Sequence, residues 1–205
     1  MPKLFYLLTL VFILSFWSCK RVEKIDYYKN GQKKSELHYH GDKLDGLSKY
    51  FYDNGQLQSV FNYNNGILEG QSISYFFDGN TESIHHYQKG KLNGISKLFY
   101  PNGAIKELKY YHNDSLDGKY IMYYKEKSIR IEGKYNMAQF DSIWNYYDKY
   151  GRLVGQGKFT NGNGNLYSFY PNGKIKINIF YKNSQPTGTE IHYNSKGIAT
   201  DTLTY

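Results

Sequence analysis

The feature that most constrains this chain is that it repeats itself every 24 residues. The tetrapeptide Tyr28-Lys29-Asn30-Gly31 returns as Tyr-Asp-Asn-Gly ending at Gly55 and as Phe-Phe-Asp-Gly ending at Gly79. It returns again as Tyr-Pro-Asn-Gly ending at Gly103 and, after two degraded copies, as Tyr-Pro-Asn-Gly ending at Gly173. A second glycine follows fifteen positions later, at Gly46, Gly70, Gly94, Gly118 and Gly188. A fixed period of this size means that one supersecondary unit is stacked many times, each copy burying its neighbour's apolar face. Such arrays make surfaces more often than active sites.

Aromatic residues keep the same period. Tyr39, Tyr63, Tyr87, Tyr111, Tyr135, Phe159, Tyr181 and Tyr205 lie eight residues after the first glycine position. Phe51, Tyr75, Phe99, Tyr123, Tyr147, Phe169 and Tyr193 lie five after the second. Copy five has Lys127 and Ser142 in place of its two glycines, and copy six, from Gly151 to Gly164, is two residues short. These departures read as tolerated wear in one continuous array.

Each unit reads as two strands and two turns, one turn at each glycine. Asn-Gly and Asp-Gly between apolar runs signal hairpins, because glycine accepts the positive φ of primed turns. Val60 to Tyr63 and Ile177 to Tyr181 have the β-branched and aromatic composition of strands. Pro101 and Pro171 precede Asn-Gly, where a fixed φ suits a turn. No segment after the leader keeps helical spacing over three turns. The expectation is an all-β, elongated, single-layer antiparallel meander or solenoid of seven to eight two-strand repeats, roughly 65–70 Å long. With 24 tyrosines and few branched aliphatics, its core must be largely aromatic.

Tyr-x-Asn-Gly followed by Leu-x-Gly at this period resembles the MORN repeat in its bacterial variant, a family that includes chains labelled antitoxins of the YwqK type. The resemblance covers residues 27–205. It implies the curling β-meander already read from the turns, and a scaffold, membrane-associated or accessory role.

Residues 1–18 are of another kind. Lys3 precedes an apolar run from Leu4 to Trp17 broken only by Thr9 and Ser15. That is shorter than the ~20 residues a membrane-spanning helix needs and matches a signal-peptide core. Ser18 then precedes Cys19, the only cysteine, which resembles a bacterial lipoprotein box with Cys19 as the lipidated (palmitate-bearing) N-terminus. Phe16 and Trp17 are bulkier than the usual box. Residues 19–26 then read as lipid attachment and tether, and the protein as extracytoplasmic, anchored in the cell envelope. A single cysteine allows no internal disulfide.

The formal net charge of +8 comes from lysines scattered over every repeat, as on solvated strand faces, so no nucleic-acid partner is expected. The histidines, including His38, His40, His85 and His86, fall at positions that vary between copies, so no metal site is expected. No nucleophile elbow, zinc-protease, phosphate-loop or calcium-loop motif is present, and no catalytic residue or cofactor is expected. The glycine-rich run from Asn161 to Asn165 reads as a turn. The candidate binding surface is an aromatic column at Tyr52, Phe76, Tyr100, Tyr124 and Tyr170, one residue beyond the Phe51 series. Adjacent strand residues point to opposite faces, so the two columns cannot share a side. The column serves either as a platform for a partner or as a set of staples between repeats. The function expected is a non-enzymatic binding or scaffold module for a protein or glycan; the alternative is an antitoxin-like or immunity protein against a co-encoded toxin.

Overall fold

The computed structural model describes residues 20–205, so the leader and Cys19 lie outside the described residues. Those residues form twenty-one strands and no helix. Every pairing is antiparallel and joins neighbours in sequence, so the sheet is a simple open meander. Five strands are two-residue segments, such as Ile67–Leu68, that run on across a short jog into the next strand, here Gly70–Tyr75. The sheet therefore has sixteen rungs, or roughly 70 Å of stacking at about 4.8 Å per rung.

Within the stretch expected to be a tether, Arg21–Tyr27 forms the first strand, paired with Lys33–His40 from Arg21↔His40 onward. It escaped notice because an edge strand packs little, and this one is exposed at six of seven positions. Charge on such an edge discourages further pairing.

The two kinds of turn differ from the expected pair. At Tyr52 to Gly55 the Gly55 amide donates to Tyr52 O at 3.0 Å, and within the turn only the glycine takes a left-handed φ, +85°. This is a three-residue loop closed by a glycine bulge, not a primed turn, and it shifts the register between Tyr50 and Phe51. The primed turns are elsewhere. Asn65-Gly66, Lys89-Gly90, Asn113-Asp114, Met137-Ala138 and Asn183-Ser184 have both central residues at positive φ and connect strands with two-residue loops. Asn161-Gly162 belongs to this set, so the glycine-rich run is a turn only at its first two residues; Asn163, Gly164 and Asn165 already belong to the strand Asn163–Phe169.

The second glycine series is thus not the second turn. Gly46, Gly70, Gly94 and Gly118 sit at the jog within a rung, where the preceding residue donates back across the ladder, as Glu69 N does to Asn62 O at 2.9 Å. Gly188 takes the same place in the next-to-last rung. The jog needs one residue with positive φ, +104° at Gly94.

Strand register sorts the side chains. Directly paired residues share a face, so Ser35, Tyr50, Ser59, Ser74, Ser83, Leu98, Glu107, Met122, Ile131 and Tyr146 form one row on a single face. Beside it runs Ser48, Phe61; Ser72, His85; Ser96, Lys109; Tyr120, Gly133; and Trp144, Gly157. The opposite face carries Val60, Ile73 and Ile84, then Leu108 and Ile121.

The core lies in the copies that look worn. Tyr120, Trp144 and Phe159 are buried to 8%, 2% and 3% exposure and gather Met122, Ile131, Tyr135, Phe140, Tyr146, Leu166 and Tyr181. Ring centroids there are 4.8–6.0 Å apart, mostly edge-to-face. In the earlier copies the buried residues are serines: Ser35, Ser48, Ser72, Ser83 and Ser96. Copies five and six tolerate Lys127 and Ser142 at positive φ in place of glycines, and in them large and small residues also change places across the ladder.

Candidate functional site

The recurring Tyr-x-Asn-Gly segment ties each copy to the next. Tyr52 Oη donates to Tyr75 O at 2.8 Å, Tyr100 Oη to Tyr123 O at 2.8 Å, Tyr124 Oη to Tyr147 O at 2.9 Å and Tyr170 Oη to Tyr193 O at 2.8 Å. Tyr28, one copy earlier, does the same to Phe51 O at 2.7 Å. Phe76 keeps the ring and lacks the hydroxyl. Lys106, Arg130 and Lys176 place their charges 5.7–6.0 Å from the Tyr100, Tyr124 and Tyr170 rings. The five residues of the expected column are therefore all half-buried, and the four tyrosines among them are engaged as staples between copies.

The asparagine of the motif works alongside. Asn30, Asn54, Asn102 and Asn172 accept at Oδ1 from the amide two residues on, closing the loop. Asn30 and Asn172 also donate to the next copy's turn at Asp53 O and Ser195 O, 2.8 and 3.0 Å. Sequence reasoning found these residues by their period but could not see that they bridge copies.

A groove of about 370 Å³ lies on the serine-bearing face, lined by Tyr50, Ser59, Phe61 and Ser74, with Tyr52, Gln58 and Glu82 at its rim. Tyr50 and Phe61 stand edge-to-face at 6.0 Å. His85, two rungs further along this face, bonds Ser96 Oγ through Nδ1 at 2.6 Å. Its pKa is held below the ordinary 6.5 by burial, then by the Lys109 and His86 charges. His86 turns to the other face and reaches Ile95 O.

Two carboxylates are buried here. Glu107 accepts from the Tyr120 hydroxyl at 2.7 Å and pairs with Lys109 at 2.9 Å. Glu190 accepts from His192 Nε2 at 2.7 Å and from the Tyr205 hydroxyl. Each has its oxygens occupied by the protein, so both read as structural. Glu23, Glu36 and His38 bring ligand atoms within 4.8 Å of one another. Glu36 is held by Lys33 at 3.1 Å and Lys49 at 2.6 Å, which keep its carboxyl below the usual range. His38 Nδ1 lies 2.6 Å from Leu47 O. A cation there would have to displace both lysines.

A two-rung hairpin cross-tied by a tyrosine and an asparagine is a recognisable unit. Four segments of the chain match the MORN repeat variant. They are residues 23–40, 44–65, 92–113 and 162–183. The long unmatched stretch 114–161 contains Tyr120, Gly133 and Trp144, where the core replaces the serines. MORN repeats suggest a binding or scaffold role, the coarse reading reached from the period. No curated protein matches the chain. Among solved structures, the crystal structure of TcdB2-TccC3-TEV matches over 85% of this chain at 10% identity. This chain spans 13% of that one, and a TM-score of 0.23 supports no argument about fold or function.

Proposed function

We propose that this protein is a non-enzymatic repeat scaffold of the bacterial cell envelope, anchored by lipid at Cys19, that binds a protein or glycan along the serine-bearing face of its sheet. The observation that carries this reading is the change of filling along that face. In the copies around Trp144 the protein's own rings pack against one another; between Ser35 and Ser96 small serines alternate with Tyr50, Phe61 and His85. Rings standing over hydroxyls, with Glu82 at the rim, supply stacking surface and hydrogen-bonding groups together. A flat platform repeated over several rungs suits an extended partner, since each added rung contributes area without a new fold.

The test is capture from detergent-solubilised membranes, using the full chain, a Tyr50→Ala/Phe61→Ala variant and Cys19→Ala. Mass spectrometry and carbohydrate analysis identify what is retained. A partner held by the full chain and lost from the double variant is expected, with Cys19→Ala recovered in the soluble fraction. Equal capture by both, or recovery of the bait alone, would overturn the binding face. A membrane-bound Cys19→Ala would overturn the anchor.

A further inference from the structure

Between its first and last aromatic, Tyr28 and Tyr170, the staple column has a gap; the terminal copy carries Asn194 there, with no later copy to tie. At the position of Tyr28, Tyr52, Phe76, Tyr100, Tyr124 and Tyr170, copy six carries Asp148. Its carboxylate caps its own loop, accepting from the Tyr150 and Arg152 amides at 2.9 and 3.0 Å and from Arg152 Nε at 2.7 Å. That is the task the motif asparagine performs in other copies. The ring is missing, and a groove of about 360 Å³ lies in its place, between Asp148 and Arg152 on one side and Tyr170 and Pro171 on the other. Leu153 and Val154 line it and remain 43% and 37% exposed. The size falls within the range of about 300–1,000 Å³ typical of ligand sites.

The neighbouring copies show what this groove accommodates. In each, a phenol ring bridges two loops, and its hydroxyl donates to the carbonyl of the equivalent aromatic strand end in the following copy, two rungs on. In copy six the corresponding carbonyl is that of Phe169, a residue lining the groove, and no tyrosine hydroxyl donates to it among the described residues. We propose that this groove takes a tyrosine side chain of a partner protein, which completes the column in trans. The ring would pack on Leu153, Val154 and Phe169, and its hydroxyl would donate to Phe169 O. The position that holds the cation in other copies is Val154 here, while Arg152, bonded to Asp148 and 5.4 Å from the exposed Tyr150 ring, brings a charge to the groove from a turn position. The site shares no residue with the groove around Tyr50 and Phe61 and lies some four copies further along the sheet, so it does not depend on the function proposed above.

The test is titration of the isotope-labelled protein with the peptides Ac-Gly-Tyr-Gly-NH2 and Ac-Gly-Phe-Gly-NH2, followed by amide chemical shifts. The tyrosine peptide should give saturable shifts at residues 152–154 and 169–173 at about millimolar concentration, as one ring and one hydrogen bond allow. The phenylalanine peptide should bind several-fold more weakly. The pair Asp148→Tyr/Tyr150→Asn restores Tyr-x-Asn-Gly to copy six; it should raise Tm and abolish the shifts. Val154→Lys supplies the cation carried by Lys106 and Lys176 and should tighten binding several-fold. That variant is read independently of the pair's folding. Equal affinity for the two peptides, shifts that survive the refilled groove, or shifts with an oligosaccharide and none with the tyrosine peptide would overturn the proposal.

Discussion

The indole of Trp144 fills the space that any side chain at Gly133 would need: a Cβ there would stand 2.2 Å from Trp144 Cδ2. The two residues lie on adjacent rungs of the same face, and Gly157 gives way similarly to Phe159, with a Cβ–ring distance of 2.3 Å. Earlier copies place Phe61, His85 and Lys109 where these glycines stand, and Ser48, Ser72 and Ser96 where Tyr120 and Trp144 stand. Volume is exchanged across the ladder and roughly kept, as close packing requires.

Gly133→Ala should therefore destabilise the protein by about 1–3 kcal/mol through overpacking, and Trp144→Ala by about 3–5 kcal/mol. In the Trp144→Ala background the alanine at 133 should cost little, because the ring it meets is gone. Urea unfolding of the four-protein cycle checks this; additive losses would show that the two residues do not compete for space.

Gly94 presents the opposite case. A Cβ there meets nothing closer than His86 Cβ at 3.6 Å, so space is ample, but φ is +104°. Gly94→Val should cost about 1–3 kcal/mol from backbone strain alone. His85→Ala removes one hydrogen bond to Ser96 and should cost about 1 kcal/mol. Equal Tm values for the two would refute the assignment of Gly94 to the jog.

The staples can be removed and added one hydroxyl at a time. Tyr100→Phe should lose about 0.5–1.5 kcal/mol with its bond to Tyr123 O. Phe76→Tyr should gain a similar amount by donating to Phe99 O, the one ring of the column that lacks this bond. Thermal unfolding of the pair measures both, and a Phe76→Tyr protein no more stable than the parent would place that ring differently from its neighbours.

Alkali should loosen the core before the rest. Burial pushes the Tyr146 phenol up to about 12, with the neighbouring Tyr181 and Tyr135 adding to it, and Tyr120 is raised by burial and by Glu107. The unfolded chain loses these protons near pH 10, earlier than the folded one, so stability is full below pH 10 and falls as the pH rises towards 12. Tyr146→Phe should flatten that decline in denaturant midpoints measured from pH 9 to 12. An unchanged slope would mean that Tyr146 is not shielded from water.

The sequence by itself determined the architecture of this protein. A 24-residue period with two aromatic positions and Tyr-x-Asn-Gly in each copy permits little except a stacked antiparallel meander, because a lone hairpin cannot bury its own apolar face. It also marked Tyr52, Phe76, Tyr100, Tyr124 and Tyr170 as one column. Tertiary structure alone decided what each position does. The primed turns at Asn65-Gly66 and its counterparts were hidden because a two-residue loop tolerates Lys-Gly, Asn-Asp or Met-Ala, leaving no fixed letter to repeat. The jog at Gly94 looked like a turn because both need positive φ. Copies five and six looked worn because Lys127 and Ser142 replace glycines, though both keep a positive φ, +71° and +60°; Trp144 and Gly133 are eleven residues apart, and only strand register shows that one makes room for the other. The period reports which element recurs; contacts between rungs depend on pairing, and pairing is settled only when the strands meet.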